Sequence, residues 1–208
     1  VVEIPECNIA DSDFTIISQR VLGYFRELGI PQYNKRKHEG VLRHLVIRKA
    51  LSTGEILVNL VTSSQGTIDI DEFKGILLQC NEIQGEIVGI FHTINDSLSD
   101  VVIAEDLKLI YGRDYVVEEI LGLKFKISPF SFFQTNTFGA EKLYSIVREF
   151  VGDEKGIVFD LYSGTGTIAQ MLSPNCKKVI GIEIVEEAVE KAKENAKLNK
   201  LDNMEFIA

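Results

Sequence analysis

Asp160-Leu161-Tyr162-Ser163-Gly164-Thr165-Gly166-Thr167 is the stretch whose reading decides the fold. The residues leading into it, Ile157 to Leu161, are almost wholly apolar, the composition of a short strand buried on both faces of a parallel sheet. Gly164 and Gly166 let the backbone turn sharply and let a ligand come close, and the short helix that follows, to Leu172, offers unpaired N–H groups at its N-terminus. A βαβ pattern starts here. A second strand is expected at Val179 to Glu183, a long helix at 185–198 and a third strand opening at Met204 to Ile207. In the long helix Val185, Ala188, Val189, Ala192 and Ala196 form one apolar stripe, with Glu187 and Lys191 as an i,i+4 pair. Glu183, at the tip of the second strand, can accept both hydroxyl hydrogens of a ribose, because an ionised carboxylate is a pure acceptor with room for two donors.

Gly164-x-Gly166-x-x-Ala169 followed by an acid also fits a loose dinucleotide pattern, so two ligands compete. In a dinucleotide site the first glycine follows the strand directly and the helix N-terminus meets a pyrophosphate. Here Asp160 stands at the strand end, with Leu161, Tyr162 and Ser163 before the first glycine. An acid at that point suits a cationic group, such as the ammonium of S-adenosylmethionine (SAM), better than an anion. SAM is favoured over NAD, and a glycine turn with no ligand is the third reading.

Upstream, Leu143, Ile146, Val147 and Phe150 keep a helical period from 138 to 151. The region before about 128 has another character. Phe14, Ile17, Val21, Leu22 and Phe25 predict a helix over 13–28, stopped by Gly29 and Pro31. Alternation at 41–48 and 55–61 around Ser52-Thr53-Gly54 predicts a hairpin, and 71–80 a short helix that includes Cys80. Further strands are expected at 86–94, 101–104, 107–111 and within 115–127. The fold class is thus α/β: an α+β domain with a mostly antiparallel sheet at 1–128, then the first three strands of a Rossmann-like domain at 129–208. Doubly wound sheets have five or more strands, so the chain is expected to be a fragment.

With 208 residues, 45% of them hydrophobic, the chain can bury one good core or two small ones. No apolar run approaches the roughly 18 residues of a membrane span and no signal peptide is visible, so no membrane association and a cytoplasmic location are expected. Cys7, Cys80 and Cys176 are too far apart for a disulfide framework or a C-x-x-C clip. A net charge of −9 argues weakly against a protein that coats nucleic acid, but local charge matters more. Lys35, Arg36, Lys37, Arg43, Arg48 and Lys49 crowd a stretch opposed only by Glu39, a candidate phosphate surface or else a solvated basic face.

Phe132-Phe133-Gln134-Thr135-Asn136, the 160–167 run, Gly181 to Val189 and Asn195-Ala196 together resemble the RNA 5-methyluridine methyltransferases, and Gly40 to Arg48 resembles the central domain of that family. The resemblance implies SAM as cofactor and RNA, ribosomal or transfer, as partner, with no obligate protein partner evident. Carried over by position, it implies that Gln134, Tyr162, Thr167 and Glu183 contact SAM while Gly164 shapes the loop, and Asp160 joins them on the charge argument above. Gln134 and Asn136, two apart in an extended segment, can turn both amides to one face, where Asn136 would meet RNA with Lys35, Lys37, Arg43 and Arg48. Either amide could instead cap the next helix. The family pattern usually has Cys at position 163, where Ser stands here.

The family chemistry needs a cysteine thiolate that adds to uracil C6 and a base that removes the C5 proton. In the family both lie beyond the third strand, so no catalytic residue is assigned in this chain and the piece alone is expected to bind SAM weakly and to transfer no methyl group. Cys80 and Cys176 are expected to be structural. Some members hold a 4Fe-4S cluster, and Cys7 resembles the last of its four ligands, or is an ordinary thiol. The competing functions are a non-catalytic RNA-binding module and an NAD-dependent oxidoreductase.

Overall fold

The computed structural model describes residues 7–99, 107–152 and 156–208, and the strand expected at 101–104 lies outside them. The chain forms two compact units, one of residues 1–50 and 54–116, the other of 51–53 and 117–208. The division falls earlier than residue 128, because the strands that precede 128 pack with the second unit.

In the first unit, α1 (Ser12–Glu27) starts at the N-cap Asp11, whose side chain accepts the Asp13 N–H. β1 (Leu42–Lys49) and β2 (Glu55–Thr62) form the expected antiparallel hairpin. α2 (Ile70–Leu78) then crosses over to β3 (Glu86–Ile94), which pairs with β2 in parallel, and β4 (Leu107–Gly112) closes an antiparallel edge in the order β1-β2-β3-β4. The sheet is therefore mostly antiparallel with one parallel pairing, which the α2 crossover makes possible. Ile17, Val21 and Phe25 of α1 and Phe73 and Leu77 of α2 bury one face of it, over Ile56, Val58, Leu60 and Ile90. The Phe25 and Phe73 rings stack at 5.9 Å.

The second unit opens with the hairpin β5 (Val116–Ile120) and β6 (Leu123–Ile127), turned by Leu121 and Gly122, both at positive φ. α3 (Thr137–Val151) follows. The buried Glu118 of β5 accepts N–H bonds from Leu51 (2.7 Å) and Ser52 (2.8 Å) and the Thr137 hydroxyl bond (2.9 Å), tying the start of α3 to the hairpin. Then come β7 (Ile157–Leu161), α4 (Thr167–Leu172), β8 (Lys178–Ile182), α5 (Glu186–Leu198) and β9 (Met204–Ile207). The three strands are parallel in the order β7-β8-β9, the Rossmann-like half expected. Ala169 and Leu172 of α4, Val179 of β8, Val189, Ala192 and Ala196 of α5 and Phe206 of β9 make its core.

Ile157, Phe159 and Leu161 of β7 point alternately to a face that leaves them 57%, 59% and 61% exposed, and only the other face is packed against α3, α4 and α5. Among the described residues no helix is long and apolar enough to cross a membrane.

Candidate cofactor site

The glycine turn folds as its composition dictates. Gly164 (φ 54°) and Gly166 (φ 74°) occupy left-handed conformations, and Gly166 serves as N-cap of α4. A Cβ on Gly166 would lie 2.6 Å from the Phe206 ring and 3.0 Å from Ala192 Cβ, so this glycine is also what lets the turn sit on the core. Beside Gly164 no atom comes within 4 Å of such a Cβ, and its backbone faces open space. Tyr162 is 90% exposed at φ 61°, a left-handed conformation that strains a bulky residue.

Glu183 closes the turn from below. Its Oε2 accepts the Gly164 N–H at 2.9 Å and its Oε1 the Val185 N–H at 3.0 Å, which fixes the carboxylate at the end of β8. Those two N–H groups, Val185 first and Gly164 second, hold its carboxyl below the usual value. Each oxygen keeps a further acceptor position, as a ribose diol requires. Asp160 behaves differently. Burial pushes its carboxyl up, against the opposing effect of the Ala169 N–H, which donates to its Oδ2 at 3.0 Å within the first turn of α4.

A cleft of about 290 Å³ opens next to Glu183 and Gly164. Phe130, Ser131 and Phe132, just beyond β6, form one wall, and Val185, Glu187, Ala188 and Lys191 on the first turns of α5 form the other. This arrangement corrects the expected helix stripe. Val185, placed in the apolar stripe, is 53% exposed and lines the cleft, and Lys191 meets Glu194 (3.2 Å) rather than Glu187. Phe130 and the α5 wall were not legible as site residues. Their one signal was the i, i+3, i+6 spacing of Val185, Ala188 and Lys191.

Of the other expected site residues, Thr167 is buried as the first residue of α4, and Gln134 is exposed two residues past Phe132, outside the cleft lining. Asn136 caps α3, its Oδ1 accepting the Gly139 N–H at 2.8 Å, the second of the two roles open to it. The Ser163 hydroxyl is buried with no hydrogen-bond partner among the described residues, surroundings that suit the thiol of the usual family pattern equally well.

The basic stretch divides. Lys35, Arg36 and Lys37 stand exposed on a turn shaped by Asn34, whose side chain accepts the Arg36 and Lys37 N–H groups. Arg43, in contrast, donates to the carbonyls of Asn95 (2.7 Å), Ser97 (2.8 Å) and Ser99 (3.0 Å) and lies 4.4 Å over the Tyr33 ring. Arg48 is half-buried, and desolvation pulls its guanidinium below the ordinary value. Arg43 and Arg48 thus serve the fold of the first unit before any ligand. Cys7 is exposed, Cys80 lies just past the C-cap of α2 rather than within the helix, and burial pushes the Cys80 and Cys176 thiols up, away from nucleophilic thiolates. Among the described residues no group of three or more His, Cys, Asp or Glu side chains converges on a metal position.

A profile of the tRNA (uracil-5-)-methyltransferases matches residues 91–208. An uncharacterized RNA methyltransferase of Clostridium tetani is 59% identical over 209 residues, covering all of this chain and 46% of the relative, and one of Caldanaerobacter subterraneus is 54% identical with the same coverage. The crystal structure of Pyrococcus abyssi tRNA (uracil-54, C5)-methyltransferase in complex with S-adenosyl-L-homocysteine superposes with a TM-score of 0.82 at 31% identity, over all of this chain and 49% of that one. The complex of aTrm5 with tRNALeu (TM-score 0.51, 20% identity, all of this chain and 56% of that one) shares the fold. The chain spans about half the length of the curated relatives it matches.

Proposed function

Since this chain belongs to the tRNA (uracil-5-)-methyltransferase family, we propose that the protein containing it transfers a methyl group from SAM to C5 of a uridine in ribosomal or transfer RNA. The observation that carries the cofactor half is the Glu183 carboxylate, held against Gly164 at the mouth of the 290 Å³ cleft with acceptor positions to spare. The S-adenosylhomocysteine found in the Pyrococcus abyssi relative supports the same choice of ligand.

In this reading Glu183 receives the ribose hydroxyls and Asp160 faces the methionine ammonium across the turn. Gly164 lets the sulfonium portion approach the backbone, Tyr162 forms an outer wall, and Gln134 and Thr167 complete the contacts that the family resemblance implies. SAM supplies the electrophilic methyl group, and the cleft walls exclude water from it. The RNA half rests on the exposed Lys35, Arg36 and Lys37, whose turn presents three cations in a chain of net charge −9.

The test uses the full-length protein. Incubated with SAM and RNA carrying [5-³H]uridine, it should release tritium in step with methyl incorporation, because only C5 transfer expels that hydrogen. Methylation without tritium release would overturn the uridine-C5 reading. Calorimetric binding of NAD with none of SAM would overturn the cofactor.

A further inference from the structure

Asn195 and Asn199 have no part in the cleft lining, yet they tie its two walls together. Asn195 on α5 and Asn199 at its C-cap sit four residues apart, about 6 Å along the axis at 1.5 Å per residue. On β6 the N–H groups of Lys124 and Lys126 face the same edge two residues apart, about 6.6 Å along the strand. The two spacings match. Asn195 Oδ1 accepts the Lys126 N–H at 2.9 Å, and Asn199 Oδ1 accepts the Lys124 N–H at 2.8 Å. Asn199 Nδ2 donates back to the Lys124 carbonyl (2.8 Å) and to Gln170 Oε1 on α4 (2.9 Å). Two side chains of a helix thus do for the edge of β6 what a neighbouring strand would. Asn195 and Gln170 are 1% and 0% exposed, so water does not compete for this end of the ladder. Asparagine is a poor residue for a helix interior, and Asn195 stands there among Ala, Glu and Lys.

The location of this clamp gives it a consequence. One helical turn before Asn195, Lys191 lines the cleft, with Ala188 and Val185 beyond it. Four residues after Lys126, Phe130 begins the opposite wall. Between them Ser128 and Ser131 close a tight turn, the Ser128 N–H donating to Ser131 Oγ (3.2 Å) and the Ser131 N–H to the Ser128 carbonyl (3.3 Å), with Pro129 fixing φ inside it. The Phe133 ring then packs at 5.9 Å from Phe125 of β6. The Phe130–Phe132 wall is therefore referred to α5 through a short, stiff run of backbone whose far end is the asparagine pair.

We propose that Asn195 and Asn199 are positioning residues of the cleft, setting the separation of its two walls and through it the affinity for SAM. The inference rests on the cleft being the SAM site. It is tested in the full-length protein with Asn195→Leu and Asn199→Leu, which remove the amides and with them the bonds to β6. SAM binding by calorimetry and methyl transfer are measured at a temperature where circular dichroism shows each variant folded. A sub-ångström shift of one wall should raise KM for SAM about tenfold in the leucine variants, with kcat within about threefold of the parent. Should Asn195→Leu fail to fold, Asn199→Leu carries the comparison with the parent alone. Folded leucine variants with parental KM, or with kcat reduced as far as kcat/KM, would overturn the inference. A parent protein that binds no SAM would instead overturn the cofactor reading on which it stands.

Discussion

Replacing Glu183 by glutamine keeps the shape of the side chain and removes its charge, so it isolates what the carboxylate contributes. In the free protein the two oxygens accept from Gly164 and Val185 at 2.9 and 3.0 Å. A glutamine has one acceptor oxygen, and its amide nitrogen would meet the other backbone N–H donor to donor, so one of these bonds is lost. Glu183 is half-buried, and competition from water brings that loss below the range of a charged hydrogen bond, to about 1 kcal/mol, or a fall in Tm of about 2–4 °C. With ligand bound, the ribose diol loses a charged acceptor inside a drier cleft, worth about 1.5–3 kcal/mol. The dissociation constant for S-adenosylhomocysteine should therefore rise roughly tenfold to 150-fold. Calorimetry of parent and variant with S-adenosylhomocysteine and with its 2′-deoxy analogue makes the assignment specific: the parent should lose affinity when the hydroxyl is absent, and the variant should barely notice. Because the folded carboxyl is held below its ordinary value of 4.5, its contribution to stability is fully present above that value and is lost as pH falls through the lowered one. The parent alone should show that acid limb in ligand affinity. A change in affinity below threefold, or an equal penalty for the deoxy ligand in both proteins, would refute the ribose role.

Asp160→Asn should act with opposite signs on fold and ligand. Burial raises the Asp160 carboxyl above 3.8, so its ionisation costs stability as pH rises from 3.8 through the raised value, and the cost persists above it. Asparagine keeps an oxygen for the Ala169 N–H, so Tm at pH 7 should hold or rise by a few degrees, while SAM affinity falls about tenfold and 5′-methylthioadenosine, which lacks the ammonium, binds both proteins alike. Gly166→Ala should cost about 2–4 kcal/mol in denaturant unfolding, from overpacking on Phe206 and a left-handed φ, against about 1 kcal/mol for Gly164→Ala, whose Cβ meets nothing; equal costs would refute the packing account. Tyr162→Gly should stabilise the fold by about 1 kcal/mol in the same assay by relieving the strain at φ 61°, and weaken SAM binding. Lys37→Glu should weaken RNA binding and flatten its salt dependence by about one unit or more of slope without moving Tm, whereas Arg43→Ala should lower Tm by several degrees, since three carbonyls and the Tyr33 ring lose their partner.

The sequence by itself determined the elements whose causes lie within a few residues. Ile17, Val21 and Phe25 recur at helical spacing on α1, the turn at 52–54 joins β1 to β2, and the glycines at 164 and 166 announce a strand, turn and helix, because periodicity, caps and positive φ are local properties of the chain. The end of β8 and the acid just past it were legible for the same reason. Tertiary structure decided what depends on partners distant in the chain. It directed Arg43 to carbonyls more than fifty residues away, although in sequence it reads as one more basic residue of the 35–49 stretch. It joined β3 to β2 in parallel through α2 and gave Asn136 to a helix cap. It also built the cleft, since Phe130 and Lys191 share a cavity only after Asn195 and Asn199 hold β6 along α5. A hydrogen bond spanning 69 residues leaves no trace in local periodicity, because each side chain is chosen for a partner that only the folded backbone brings within 3 Å.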